Sequence, residues 1–150
     1  MKFANTVQYR DVSNVTIVVM NKIKLLKTLL YLGALYYVIG AITHYFGLTL
    51  FPWFDGKLYV PYQDTVIALV ALVFAYLLVT VAKNPIKNKD VLKAIIISAT
   101  VASIFSILII WKVDFSATGA PAKKLQTIVE GLLGFLWVGA ILVVYPYKEE

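Results

Sequence analysis

The chain has 150 residues, 61% of them from the set AVILMFWYC and only 15% charged, with a mean hydropathy of +0.82; soluble domains are far less apolar, so this is a membrane-protein balance. No cysteine, 8 glycines and 5 prolines exclude disulfide scaffolds, thiolate and iron–sulfur chemistry, collagen-like repeats and disorder. The net charge of +6 points to anionic lipid and topology rather than to nucleic acid, because the basic residues flank apolar runs.

Residues 1–21 read as a polar N-terminal tail ahead of a single domain over residues 22–150. The tail becomes apolar at NVTIVV and fits three origins: an amphipathic tail, a short strand on a partner, or an extension upstream of Met20. It is not a secretory signal, because no small-residue cleavage site follows its apolar run. Asn14-Val15-Thr16 has the form of a glycosylation acceptor.

Four segments then reach the roughly 20 apolar residues that a membrane-crossing helix needs. The first covers residues 28–51 and places Gly33, Tyr37, Gly40 and His44 on one helical face. The second, residues 65–82, carries no charge and aligns Ala68, Ala71, Ala75 and Ala82. The third, residues 94–111, repeats small residues every four positions at Ser98, Ala102 and Ser106. The fourth, residues 125–145, pairs Gly131 with Gly134 and contains one acid, Glu130. These stripes are the expected packing faces, because lipid tails are as apolar as leucine and only close approach holds helices together. Trp137 lies mid-span, so its indole N–H needs a partner on another helix or a lipid.

Connections of about 13 residues or fewer make consecutive helices antiparallel neighbours. The expected fold is all-α: an integral membrane up-down-up-down four-helix bundle. Orientation follows from lysine. Lys22, Lys24, Lys27, Lys83, Lys87, Lys89, Lys93 and Lys148 fall on one side, before Lys2 and Arg10 are counted, against Lys57, Lys112, Lys123 and Lys124 on the other. Both termini are therefore expected in the cytoplasm, in the cell membrane, which puts Asn14 on the wrong side for glycosylation. The two outer connections each hold a Trp, an Asp and a Pro (Trp53, Asp55, Pro61; Trp111, Asp114, Pro121), a thin hint of duplicated hairpins.

Ionisable groups within the bilayer are functional suspects. At 1.5 Å per residue, His44 stands roughly 25 Å above Lys27 and Glu130 roughly 24 Å above Pro146. The expectation is one outer layer of His44, Asp64 and Glu130, closed from the connections by Tyr59, Tyr62, Lys112 and Asp114. A histidine with two carboxylates suits a divalent metal, a proton relay or a cationic ligand. The bland alternatives are a dipole-complementing acid at Glu130 and a histidine bonded to a carbonyl or tyrosine. No cofactor is predicted beyond a divalent metal at His44, Asp64 and Glu130.

No catalytic constellation or phosphate loop appears, and the chain is read as no enzyme. The leading expectation is a non-catalytic accessory subunit, packed in lipid against larger integral subunits of a membrane enzyme or transport complex. A small membrane protein or enzyme using the His44 layer for a metal or ligand is the first alternative. An oligomeric carrier or channel is the second, disfavoured because the polar groups cluster at one end.

Overall fold

The computed structural model describes residues 4–146, with side chains from residue 20 onward. It is helical: α1 (Ala4–Phe46), a short 3₁₀ turn (Gly56–Leu58), α2 (Pro61–Lys83), α3 (Lys89–Lys112) and α4 (Ala122–Val144). Four stretches, Met20–Phe46, Pro61–Lys83, Lys89–Lys112 and Ala122–Val144, are long and apolar enough to cross a membrane. Twenty-three residues of α2 or α4 rise about 35 Å, enough for a hydrocarbon core of about 30 Å. Helices suit such runs because lipid offers no partner to a backbone amide, so each chain segment bonds to itself.

Two boundaries differ from the sequence expectation. From residue 4 the expected tail is helical and continuous with the first span in α1, with no strand among its described residues. Lys2 and Lys148 lie outside the described residues, as do the side chains of Arg10 and Asn14. At its other end α1 stops at Phe46, not Phe51. Gly47 takes a left-handed φ of +63°. Its N–H bonds to the His44 carbonyl at 3.2 Å, and the Leu48 N–H bonds to that of Thr43 at 2.9 Å. This is a Schellman stop, which an apolar run conceals and a glycine permits.

Contacts group the helices into two hairpins. α1 packs along α2, and α3 along α4. His44 meets Asp64 and Tyr37 stacks on Phe74 at 5.5 Å, so α1 and α2 run antiparallel. α1 also reaches α4, whereas α2 and α3, adjacent in sequence, barely touch. The expectation that each consecutive pair packs as neighbours therefore fails at the α2–α3 connection. Asn84 and Asn88 order that turn through their side chains: Asn84 Oδ1 accepts from the Lys87 N–H at 3.1 Å, and Asn88 Nδ2 donates to the Asn84 carbonyl at 2.9 Å.

All four helices meet in one core at the end where α1 carries Leu26 and Leu30. These two, with Leu78, Val81, Leu92 and Ile141, are fully buried. Outside it the helices present large apolar side chains such as Leu69, Tyr76, Phe105 and Leu136, as surfaces facing lipid do. The expected alanine face of α2 is real: Ala68, Ala71, Ala75 and Ala82 are all buried, the first two with Ala41 of α1. The α3 stripe is rotated from expectation. Ser98 and Ala102 are exposed, Ser106 is half-buried, and the inward face runs through Leu92, Ile96 and Ser103. A four-residue repeat drifts around a helix of 3.6 residues per turn, and this drift carried Ser98 off the seam.

The predicted small residues of α1 and α4 do mediate helix approach. A side chain on Gly33 would strike the Trp137 ring, one on Gly131 would meet Ile107, and one on Gly134 would strike Ser103. Gly40 faces Trp53 of the first connection.

Candidate ligand cleft and the histidine pair

The anticipated polar layer divides in two. Asp64 lies in the first turn of α2, which opens with Pro61 at a position where no amide proton is needed. One carboxylate oxygen accepts from the Val60 N–H at 2.5 Å, tying down the helix start. The other lies 2.7 Å from His44 Nδ1 at the end of α1. The His44 ring also stacks near Phe54, with centroids 4.4 Å apart. A carboxylate oxygen accepts, so the His44 Nδ1–H donates to the second.

Glu130 does not join them. Its Oε1 accepts from the Tyr36 hydroxyl at 2.7 Å, while Trp137 Nε1 donates to the Leu29 carbonyl at 2.9 Å. These bonds set α1 and α4 antiparallel, with Tyr36 level with Glu130 and Leu29 level with Trp137. Met20, rather than Lys27, then stands about level with Pro146. Glu130 is therefore two turns, about 12 Å, deeper than His44. The depth estimate failed because it took Lys27 as the membrane edge. Lys22, Lys24 and Lys27 fall within the candidate span that starts at Met20, where long basic side chains can snorkel outward.

The remaining candidates do not converge either. Tyr59 donates to the Tyr45 carbonyl at 3.2 Å, and its ring covers Gly47. Tyr62 is 81% exposed. Lys112 is exposed at the end of α3. Asp114 orders its own connection, accepting from the Ser116 hydroxyl and from the N–H groups of Ser116 at 3.0 Å and Ala117 at 3.4 Å. Asp55 caps the 3₁₀ turn in a similar way, through the Lys57 N–H. The likeness between the two outer connections stops there, since Trp111 is 82% exposed whereas Trp53 packs on Tyr36. Among the described residues, no three His, Cys, Asp or Glu side chains group to hold a metal ion.

Ser116 and the two amides hold the Asp114 carboxyl below the usual carboxylate range, with Lys124 adding a smaller pull. A depressed folded-state value stabilises this turn above the ordinary carboxylate pKa and is lost as pH falls through the depressed one. A pH titration of the Asp114 side chain by NMR is expected to give a midpoint below that of a free aspartate. Ser116→Ala is expected to move it back upward.

Glu130 instead faces a cleft of about 460 Å³, within the range of about 300–1,000 Å³ typical of small-molecule sites. α1 contributes Gly33, Tyr36 and Tyr37; α4 contributes Glu130, Gly134 and Trp137. α3 supplies Ala102, Ser103 and Ser106. Two exposed leucines, Leu32 and Leu133, also line it. Glu130 Oε1 is held by Tyr36, and Oε2 has no protein partner among the described residues. No basic side chain comes within 4.0 Å of this carboxylate among those residues.

Two polar atoms are buried without a partner among the described residues, Trp53 Nε1 and Gln126 Oε1, and neither residue lines the cleft. Gln126 and Tyr36 were not singled out from sequence, and Trp53 was named only for the pattern of its connection. The available signal was spacing: Tyr36 follows Gly33 by three residues, and Gln126, Glu130 and Gly134 recur every four. Comparison with protein-family models, with curated proteins and with solved structures finds no significant match, so the geometry of the cleft carries the functional reading.

Proposed function

We propose that this chain is a non-catalytic multi-pass membrane protein that holds a lipophilic ligand in the cleft around Glu130. The observation that carries this reading is a carboxylate set among apolar and aromatic side chains, with one protein hydrogen bond and no counter-charge. Such a group costs several kcal/mol within a bilayer unless something binds it. The helices are read as an up-down-up-down bundle in the cell membrane with cytoplasmic termini, which sets the cleft toward the outer half.

The test is mass spectrometry of small molecules retained by protein purified in mild detergent. Ala102→Trp fills the cleft from an exposed position. It is expected to lower ligand occupancy at least tenfold while leaving the thermal melt within a few degrees. Unchanged occupancy in that variant would sink the proposal.

A second reading, the accessory subunit, is favoured by one observation. Ala94, Ser98 and Ala102 form an exposed small-residue face on α3, the surface that close helix packing in membranes uses. Stoichiometric larger subunits in the same purification, lost on Ser98→Leu, would support it.

A further inference from the structure

We infer that the end of the bundle where α2 turns into α3 docks an anionic phospholipid, with its phosphate on Lys89 and Lys93 and an acyl chain along α3. Neither lysine lines the cleft around Glu130, so this surface is separate from it.

Charge placement is the first argument. Lys22, Lys24 and Lys27 stand near the start of the first span. Lys83 closes α2, Lys87 lies in the turn, and Lys89 and Lys93 open α3. Contacts between the helices bring these positions to one end. His44 with Asp64 and Tyr37 with Phe74 set Lys83 about level with Lys27. Gly134 against Ser103 sets Lys93 about level with Val144, which the α1–α4 register places level with Lys22. Lys22, Lys27, Lys83 and Lys93 therefore share a belt about 8 Å deep. Among the described side chains, Asp90 is the one acid at this end against seven lysines, and no carboxylate lies within 4.0 Å of any of them. The rest of the described side chains balance, with four lysines against four acids.

Position is the second argument. The belt falls where the spans end, and the anions held at that level of a membrane are lipid phosphates. Lys89 and Lys93 are four residues apart on one face of α3, and both are exposed. Like charges at that spacing repel, and a phosphate between them replaces repulsion with charge-assisted bonds. A choline headgroup brings its own cation to the lysines, so a net negative headgroup is the better fit.

The apolar surface below the lysines supplies the third argument. Ile97 and Ile104 continue their side of α3 and are 54% and 43% exposed. They lie about 6 and 17 Å from Lys93 along the helix axis, and one leaflet is half of a hydrocarbon core of about 30 Å. A phospholipid headed at the lysines therefore has an apolar stripe of the right length for its chain. α3 packs on α4 and barely touches α2, which leaves that stripe open.

The experiment uses the full chain in dodecyl maltoside and reads bound lipid by native mass spectrometry. The probes are dioleoyl phosphatidylglycerol, dioleoyl phosphatidylcholine, glycerol phosphate and a soluble oligoglutamate peptide. Phosphatidylglycerol is expected to bind at least tenfold better than phosphatidylcholine, and neither soluble anion is expected to displace it at equal concentration. Lys89→Gln combined with Lys93→Gln is expected to reduce phosphatidylglycerol binding at least tenfold. All these positions are exposed, so the melt in detergent alone is expected to stay within a few degrees. Lys83→Gln with Lys87→Gln, at the same turn, is expected to weaken binding in the same direction. Lys57→Gln with Lys112→Gln removes the same charge from exposed positions elsewhere and is expected to leave binding within twofold. Equal binding of the two lipids overturns the headgroup assignment. Undiminished binding in the Lys89 and Lys93 variant, or equal loss in the Lys57 and Lys112 variant, overturns this surface as the place. Displacement by glycerol phosphate would make it a site for free anions, and displacement by oligoglutamate a surface for an acidic protein; either result overturns the lipid assignment.

Discussion

Gly33→Leu is expected to destabilise the protein by about 3 kcal/mol. A Cβ at residue 33 would stand 2.7 Å from Cζ2 of Trp137 and 3.2 Å from its Nε1. The ring cannot swing aside freely, because Nε1 is bonded to the Leu29 carbonyl at 2.9 Å. Leu29 is the residue one turn before Gly33, so its carbonyl is also the one that the Gly33 amide uses within the helix. The missing side chain lets the indole reach a carbonyl that a regular helix surface would screen. A leucine there adds an overpacking cost of about 1–3 kcal/mol to loss of an interhelical hydrogen bond worth about 1 kcal/mol. Gly33→Ala is expected to cost about half as much. The measurement is reversible unfolding in mixed detergent, followed by circular dichroism. Trp137→Phe supplies a cycle: once the indole N–H is gone, Gly33→Ala should cost clearly less than in the wild type. A Gly33→Leu protein as stable as wild type would show that α1 and α4 are not joined here.

Asp64→Ala is expected to cost about as much, roughly 3 kcal/mol, for a different reason. The Asp64 side chain is 6% exposed and His44 18%, so both bonds of the carboxylate are shielded from water. Truncation strands His44 and the Val60 amide together. Removing one partner of a buried pair typically costs about 3–5 kcal/mol, and partial exposure of His44 places the effect near the lower end. Asp64→Asn keeps an acceptor at that place and is expected to lose about half. The same unfolding assay reads both variants, and amide exchange at residues 61–64 locates the effect. Wild-type stability and exchange in Asp64→Ala would remove the pair from the fold's foundations.

The spans were legible because length and hydropathy act on whole segments and survive local irregularity. The α2 alanines were legible too, since burial of Ala68, Ala71 and Ala75 follows from one helical face. Closeness of His44 and Asp64 was foreseeable because both flank one short connection and little can separate them. Glu130 was not, because its depth depended on where α1 enters the membrane, and three lysines inside the span hide that point. Gly47 was missed as a terminator because a glycine within an apolar run reads equally as a packing residue. Ser103 was missed and Ser98 wrongly placed because a repeat of four residues and the true seam diverge by about 40° per repeat. The bond from Tyr36 to Glu130 was hidden too, since it exists only once the α1–α4 register is set.

That register also orders the protein's biogenesis. Within each hairpin the partners are close in the chain, so α1 with α2, and α3 with α4, can associate soon after each pair enters the bilayer. The bond from Trp137 to Leu29 spans 108 residues and can form only after α4 has been synthesised and inserted. Until then Gly33 and the Leu29 carbonyl face lipid or the insertion machinery, and the cleft has no α4 wall. Closure of the α1–α4 seam therefore waits for α4, and a nascent chain stalled before Trp137 carries two of the three walls without the bond that joins α1 to α4.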